Sequence, residues 1–141
     1  MSEEIPAPPE GFVRSELRGP FSTHNGPYFH RVGGDPETVG QAFYALPRHA
    51  NGIGLVHGGM LSAFMDGLLA QAVGRKTKAV GVTIHLSIDF LHMARQGEWV
   101  VGEARMTRAA KDVAFAEGVA RSRGVDVVRA SGIFKLMSRH G

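Results

Sequence analysis

Asn51, Gly54, His57, Gly58 and Gly59 fall within nine residues, and a lone carboxylate, Asp66, follows shortly after. Two adjoining glycines at the mouth of a helix let the backbone approach a ligand closely. The free N–H groups and the positive dipole end there favour a developing negative charge. Such a mouth suits polarising a carbonyl and holding its oxyanion. Asp66 sits among apolar neighbours, where aspartate is uncommon unless paired or functional. Each feature also has an ordinary structural reading. The glycines suit a tight loop, and Asp66 suits a partly exposed carboxylate bonded to a loop or a partner subunit.

Other chemistries fit less well. The chain has no cysteine, which excludes disulfides, thiolate metal sites and a cysteine nucleophile. Seven histidines are scattered without paired-ligand spacing, so no metal is expected. Ser62 lacks a Gly-x-Ser-x-Gly elbow and lies inside a helical pattern, which argues against a serine hydrolase. Gly52-Ile53-Gly54 has no third glycine at dinucleotide spacing and no following βαβ unit.

The elements around these residues are legible from periodicity. From Gly59 to Val73, Met60, Leu61, Phe64, Met65, Leu68, Leu69, Ala72 and Val73 recur at helical spacing over more than one face, the mark of a buried helix. Gly74 with Arg75-Lys76 offers a stop. Val80 to Phe90 alternates with period two, which predicts one long strand with its even face on the helix. Turns at Gln96-Gly97, Lys111-Asp112 and Gly124 separate further strands at 99–106, 114–121 and 127–136, and the four long strands read as an antiparallel meander. Earlier, 28–32 and 38–46 can pair as a hairpin across Gly33–Pro36. The economical solution is α+β: one long central helix wrapped by a curved antiparallel sheet of about six strands.

With 141 residues, 43% hydrophobic and 21% charged, the chain suits a single domain over 11–141. Residues 1–10, with Pro6, Pro8 and Pro9, read as a flexible arm. The absence of a secretory pattern and of a long apolar run predicts a cytoplasmic protein with no membrane span. A net charge of +3 favours anionic ligands without pointing to nucleic acid, which is not an expected partner.

The pattern Asn51-x-x-Gly54-x-x-His57-Gly58-Gly59, followed by Asp66, resembles the hotdog-fold thioesterases of the phenylacetate-degradation type, within the 4-hydroxybenzoyl-CoA thioesterase superfamily. The likeness extends through Gly81-Val82-Thr83 and the later strands, over roughly residues 26–138. It implies hydrolysis of acyl-CoA thioesters, with no cofactor beyond the CoA substrate. It also implies that Gly58 donates its N–H to the carbonyl, and that Asn51 helps place substrate or water. Asp66 acts as base or nucleophile, Thr83 orients water, and His57 holds the loop. Gly59, His85, Ser87, Arg108 and Lys111 become candidates for substrate and CoA binding. Where close relatives carry an acidic residue, position 85 is His.

Spacing adds a constraint of its own. Gly58 and Asp66 stand eight residues apart, roughly 12 Å along one helix at 1.5 Å per residue, whereas a base must reach its proton within about 3 Å or through one water. One helix cannot easily supply both groups to one carbonyl. Two antiparallel helices can, so a homodimer or homotetramer with shared active sites is expected. The alternatives at this stage are an enoyl-thioester hydratase or dehydratase on the same fold, and a non-catalytic acyl-CoA-binding protein.

Overall fold

The computed structural model describes residues 3–16 and 19–138. Seven strands form one antiparallel sheet: β1 (Phe12–Arg14), β2 (Phe29–Arg31), β3 (Val39–Tyr44), β4 (Val80–Phe90), β5 (Trp99–Ala109), β6 (Val113–Ser122) and β7 (Val125–Met137). The sheet order is β1-β2-β3-β5-β6-β7-β4. A short helix, α1 (Pro20–Asn25), precedes β2, and the long α2 (Gly58–Thr77) follows a 3-10 turn at Pro47–His49. This is the hotdog arrangement, a central helix wrapped by a curved sheet, with one strand more than the sequence predicts. The extra strand, β1, has only three residues and α1 only six, too short for hydrophobic periodicity to register.

The helix outruns its predicted stop. It continues through Gly74 to Thr77 and ends at Lys78, whose backbone is left-handed (φ 61) and whose N–H returns to the Gly74 carbonyl. Gly67 and Gly74 each cost a helix interior about 1 kcal/mol relative to alanine, a cost offset by burial. Phe64, Met65, Leu68, Leu69 and Val73 are all at most 1% exposed. Phe64 meets Phe43 edge-on at 4.9 Å and stacks on Tyr28 at 6.1 Å. The opposite strip of α2, at Ala63, Gly67 and Gly74, is only half-covered.

The helix is accommodated by deletions of side chain from the sheet. A Cβ on Gly102 of β5 would lie 2.7 Å from Leu68 and 2.9 Å from Phe64. Gly102→Ala is therefore expected to destabilise the fold by about 1–3 kcal/mol, the usual range for overpacking. Denaturant titration of the variant checks it, and an unchanged midpoint would contradict this packing.

Two expectations for the long strands need correction. The four do not form a simple meander. β5, β6 and β7 do, but β4 pairs with β7 at the far edge, while β5 pairs with β3. The eight residues between β4 and β5 cross the end of the sheet, with Leu91 and His92 N–H bonded to the Val127 carbonyl. Two intervening strands are about 14 Å of sheet, well within reach of such a link.

Nor does β4 keep one face throughout. Its register with β7 slips between Thr83 and His85, a bulge at Ile84. Before the bulge the odd residues face the helix: Gly81 lies against Val73 and Phe134. After it the even residues do, and Leu86 and Ile88 pack on the core. An extra residue on one strand reverses the alternation. Ile84 and Val82 are left 59% and 50% exposed.

The hairpin of β2 and β3 forms as predicted, with Phe29 opposite Ala42. Of the proline-rich arm, Glu3 is ion-paired with Arg48 at 2.8 Å, and residues 3–9 carry no helix or strand. The guanidinium beside it holds the Glu3 carboxyl below its ordinary range. Among the described residues no helix is long and apolar enough to cross a membrane.

Candidate active site

The loop before α2 is built from its own polar groups. Asn51 Oδ1 accepts the N–H groups of Ile53 (3.0 Å) and Leu55 (3.1 Å), closing a turn in which Gly54 takes φ +80, a conformation favouring glycine. The Asn51 carbonyl oxygen is thus committed to the loop. The Val56 N–H reaches the Ala94 carbonyl, and the Gln96 N–H reaches that of Gly54, so the β4–β5 link braces the loop from outside.

His57 is the N-cap of α2. Its Nδ1 accepts the Gly59 N–H at 2.7 Å, which places any ring proton of the neutral form on Nε2. The Met60 and Leu61 N–H groups both go to the His57 carbonyl. Of the first-turn donors, Gly58 alone keeps an N–H without an acceptor among the described residues. A side chain at Gly59 would come within 3.0 Å of His57 Nδ1, so glycine there preserves the cap. The sequence pointed to free N–H groups at this mouth without numbering them; among the described residues the first turn leaves one, at the end of the helix carrying about half a positive charge.

Asp66 lies half-buried two turns further on, and Thr83 Oγ1 donates to its Oδ1 at 2.5 Å. The bulge makes this contact possible, because it lets Thr83 face the helix while the later, even residues of β4 also do so. One carboxylate oxygen is held by Thr83; Oδ2 has no partner among the described residues. Ser62 donates to the Gly58 carbonyl at 2.8 Å, a helix-internal bond that gives it no part in nucleophilic chemistry.

The remaining candidates are spread out. His85 and Ser87 lie beyond the bulge on the outer face of β4, where Ser87 joins Asp89, Arg105, Glu117 and Arg129 around a shallow groove. Arg108 and Lys111 are exposed at the β5–β6 turn, at the end of the sheet near the helix C-terminus. Within one chain, neither pair reaches Gly58.

A residue that sequence reasoning passed over supports the loop. His49 is 3% exposed; its Nδ1 accepts the Leu46 N–H at 3.0 Å, its Nε2 donates to the Asn25 carbonyl at 2.7 Å, and its ring meets Phe43 edge-on. Its own carbonyl accepts the His57 N–H at 2.9 Å, so the cap hangs from it. The only sequence signal was Pro47 starting a turn after a strand. Burial pushes the imidazole below its ordinary value, and the neighbouring Arg48 adds to this, outweighing the opposing pull of the Asn25 carbonyl.

A base whose folded pKa is depressed stays neutral in the native state while the unfolded chain takes up a proton. Its contribution is therefore fully present above about pH 6.5 and lost as pH falls through the lower folded value. Denaturation midpoints measured from pH 7.5 to 5 should decline in the wild type, with a shallower slope for His49→Gln. Equal slopes would remove His49 from this role.

Comparison with known proteins agrees with this fold. The chain matches the thioesterase superfamily model over residues 53–128, from the loop through most of the sheet. It is 35% identical over 130 residues to a Pseudomonas aeruginosa protein named "Putative esterase PA0474", covering 91% of this chain and 96% of that one. It is 31% identical over 68 residues to human acyl-coenzyme A thioesterase 13, covering 48% and 49% respectively. In structure it resembles a phenylacetic acid degradation-related protein of Ralstonia eutropha, with TM-score 0.75, 24% identity, and coverage of 86% and 92%; that likeness concerns the fold. The chain belongs to the thioesterase superfamily. It is a thioester hydrolase.

Proposed function

We propose that the protein hydrolyses acyl-CoA thioesters to free acid and CoA, at sites each shared by two copies of the chain. The carrying observation is the pair of groups left unfinished within one chain. These are the free Gly58 N–H at the helix mouth and the Asp66 carboxylate with one oxygen held by Thr83. They stand about 12 Å apart along α2. The CoA ester is favoured by the human relative's name.

The chain carries an edge suited to the second copy. β4 bonds to β7 on one side and has its other side unpaired for eleven residues, with Val82 and Ile84 exposed beside it. A long, partly apolar edge is a template for strand pairing. Antiparallel pairing of β4 with its twin about a two-fold axis continues the sheet and runs the two helices in opposite senses. It also covers the open strip at Ala63, Gly67 and Gly74. Asp66 of each copy then approaches the other copy's Gly58.

In this reading the Gly58 N–H binds the carbonyl oxygen and stabilises the oxyanion. Asp66 either takes a proton from water as that water attacks the carbonyl carbon, or attacks the carbon itself and is released by water. The C–S bond breaks and the CoA thiolate takes up a proton. Thr83 holds the carboxylate; having donated its one proton, it can only accept from a water. His57 and Gly59 fix the mouth, and Asn51 fixes the loop, its side-chain N–H groups remaining available to substrate or water. Pairing through β4 also brings the other copy's β5–β6 turn to the Gly58 end, so Arg108 and Lys111 serve the phosphates of a CoA bound across the seam. His85 and Ser87, on the outer face, contact at most the periphery of the CoA.

Thiol release from a panel of alkyl and aryl CoA esters tests the reading, and a folded protein that releases none contradicts it. A finer test is Thr83. Hydrogen bonds to charged groups contribute about 1.5–3 kcal/mol, so Thr83→Val is expected to lower kcat by ten-fold or more while Thr83→Ser keeps most of it. Equal activity of the two variants would show that the bond to Asp66 has no part in turnover.

A further inference from the structure

The mouth of α2 is built from residues that do not hold a helix well. Gly58 and Gly59 occupy its first two positions, and glycine gives up more backbone freedom on entering a helix than any other residue. The one side-chain bond within this turn is the cap, from the Gly59 N–H to His57 Nδ1. That cap depends on the backbone of His57 staying extended, at φ −62 and ψ 138. The His57 N–H is bonded to the His49 carbonyl, so the cap is fastened from outside the helix.

His49 is suited to be the fixed end of that bond. It closes the 3-10 turn Pro47–His49, and its ring is bonded at both nitrogens, to the Leu46 N–H and the Asn25 carbonyl. Its face meets Phe43 edge-on, and Phe43 packs on Phe64 of α2. Arg48 adds bonds from the same turn to the carbonyls of His24 and Gly26. A ring held at both ends and packed on the core keeps its own backbone from turning, so its carbonyl stays aimed at His57.

We infer that His49 is a positioning residue for hydrolysis: through His57 it keeps the glycine-built first turn wound and the Gly58 N–H aimed at the thioester carbonyl. This rests on the hydrolase reading above. His49 touches no reacting atom, and its whole effect passes through one amide. An oxyanion donor acts only when it is already in place as charge develops. A misplacement of about 1 Å can lower a rate about a hundred-fold.

The test is kcat and KM for thiol release from decanoyl-CoA and benzoyl-CoA, with His49→Leu and His49→Asn made in the wild type and in Gly58→Pro. His49→Leu bonds at neither end and should lower kcat by about ten-fold or more, with KM little changed. His49→Asn, whose Oδ1 can stand where Nδ1 stands and accept the Leu46 N–H, should show a smaller fall. In Gly58→Pro there is no amide left to position, so either substitution should lower kcat further by less than about two-fold, the non-additivity of residues acting through one group. A fall of equal size in both backgrounds marks His49 as merely structural and overturns the inference. No fall in the wild-type background overturns it too, and both results leave the hydrolase reading standing. A wild type that releases no thiol from either ester removes the hydrolase reading and the positioning role with it. Circular dichroism and sizing confirm that the rates come from folded protein; if His49→Leu does not fold, His49→Asn completes the same cycle with the same outcomes.

Discussion

Asp66→Asn is expected to lower kcat by about a hundred- to ten-thousand-fold, the range over which a positioned base contributes, while the fold is retained. The asparagine is isosteric, and its side-chain carbonyl can still accept the Thr83 hydroxyl now 2.5 Å from Oδ1. What is lost is the charge and the free oxygen, which alone can take a proton or attack carbon. KM should change little if the carbonyl is bound mainly by the helix mouth. Full turnover by a folded Asp66→Asn protein would remove Asp66 from the chemistry.

The second large effect concerns a main-chain atom. Gly58→Pro deletes the free N–H with little other disturbance, because proline is well suited to the first position of a helix. His57, with φ −62 and ψ 138, already has the extended conformation that a residue before proline adopts. A Cβ at 58 meets only the Phe90 ring, at 3.5 Å, an ordinary contact. Losing one oxyanion donor typically lowers kcat by about a hundred- to a thousand-fold. Gly58→Ala keeps the N–H and serves as the control. If proline and alanine gave equal activity, the amide would have no role.

Much of the loop and helix that carry the candidate residues was readable in advance, and the reasons differ from residue to residue. The Asn51–Gly59 loop and Asp66 stand out because glycines and a carboxylate interrupt an apolar helix, a local departure that spacing makes visible. The long strands and their turns followed from period two and from Gly97, Asp112 and Gly124. The bulge at Ile84 did not, because Val80 to Phe90 alternates without a break in hydropathy and the slip exists only relative to β7. The edge position of β4 was equally hidden, since pairing with β7 depends on which strands the helix requires as cover. His49 escaped notice because a buried histidine is distinguished by its partners, Leu46 and Asn25, which only the fold brings to it. The commitment of the Gly59 amide to His57 is likewise a matter of one side-chain rotamer.

Mixing the two inactive variants tests the shared site directly. In a heterodimer of Asp66→Asn and Gly58→Pro chains, one site receives both intact groups and the other receives neither. Random pairing of equal amounts should therefore restore about a quarter of wild-type activity. Recovery near that level, appearing as subunits exchange, is the predicted result. Heterodimers shown by native mass spectrometry to form yet remaining inactive, or a protein found only as single chains, would contradict it.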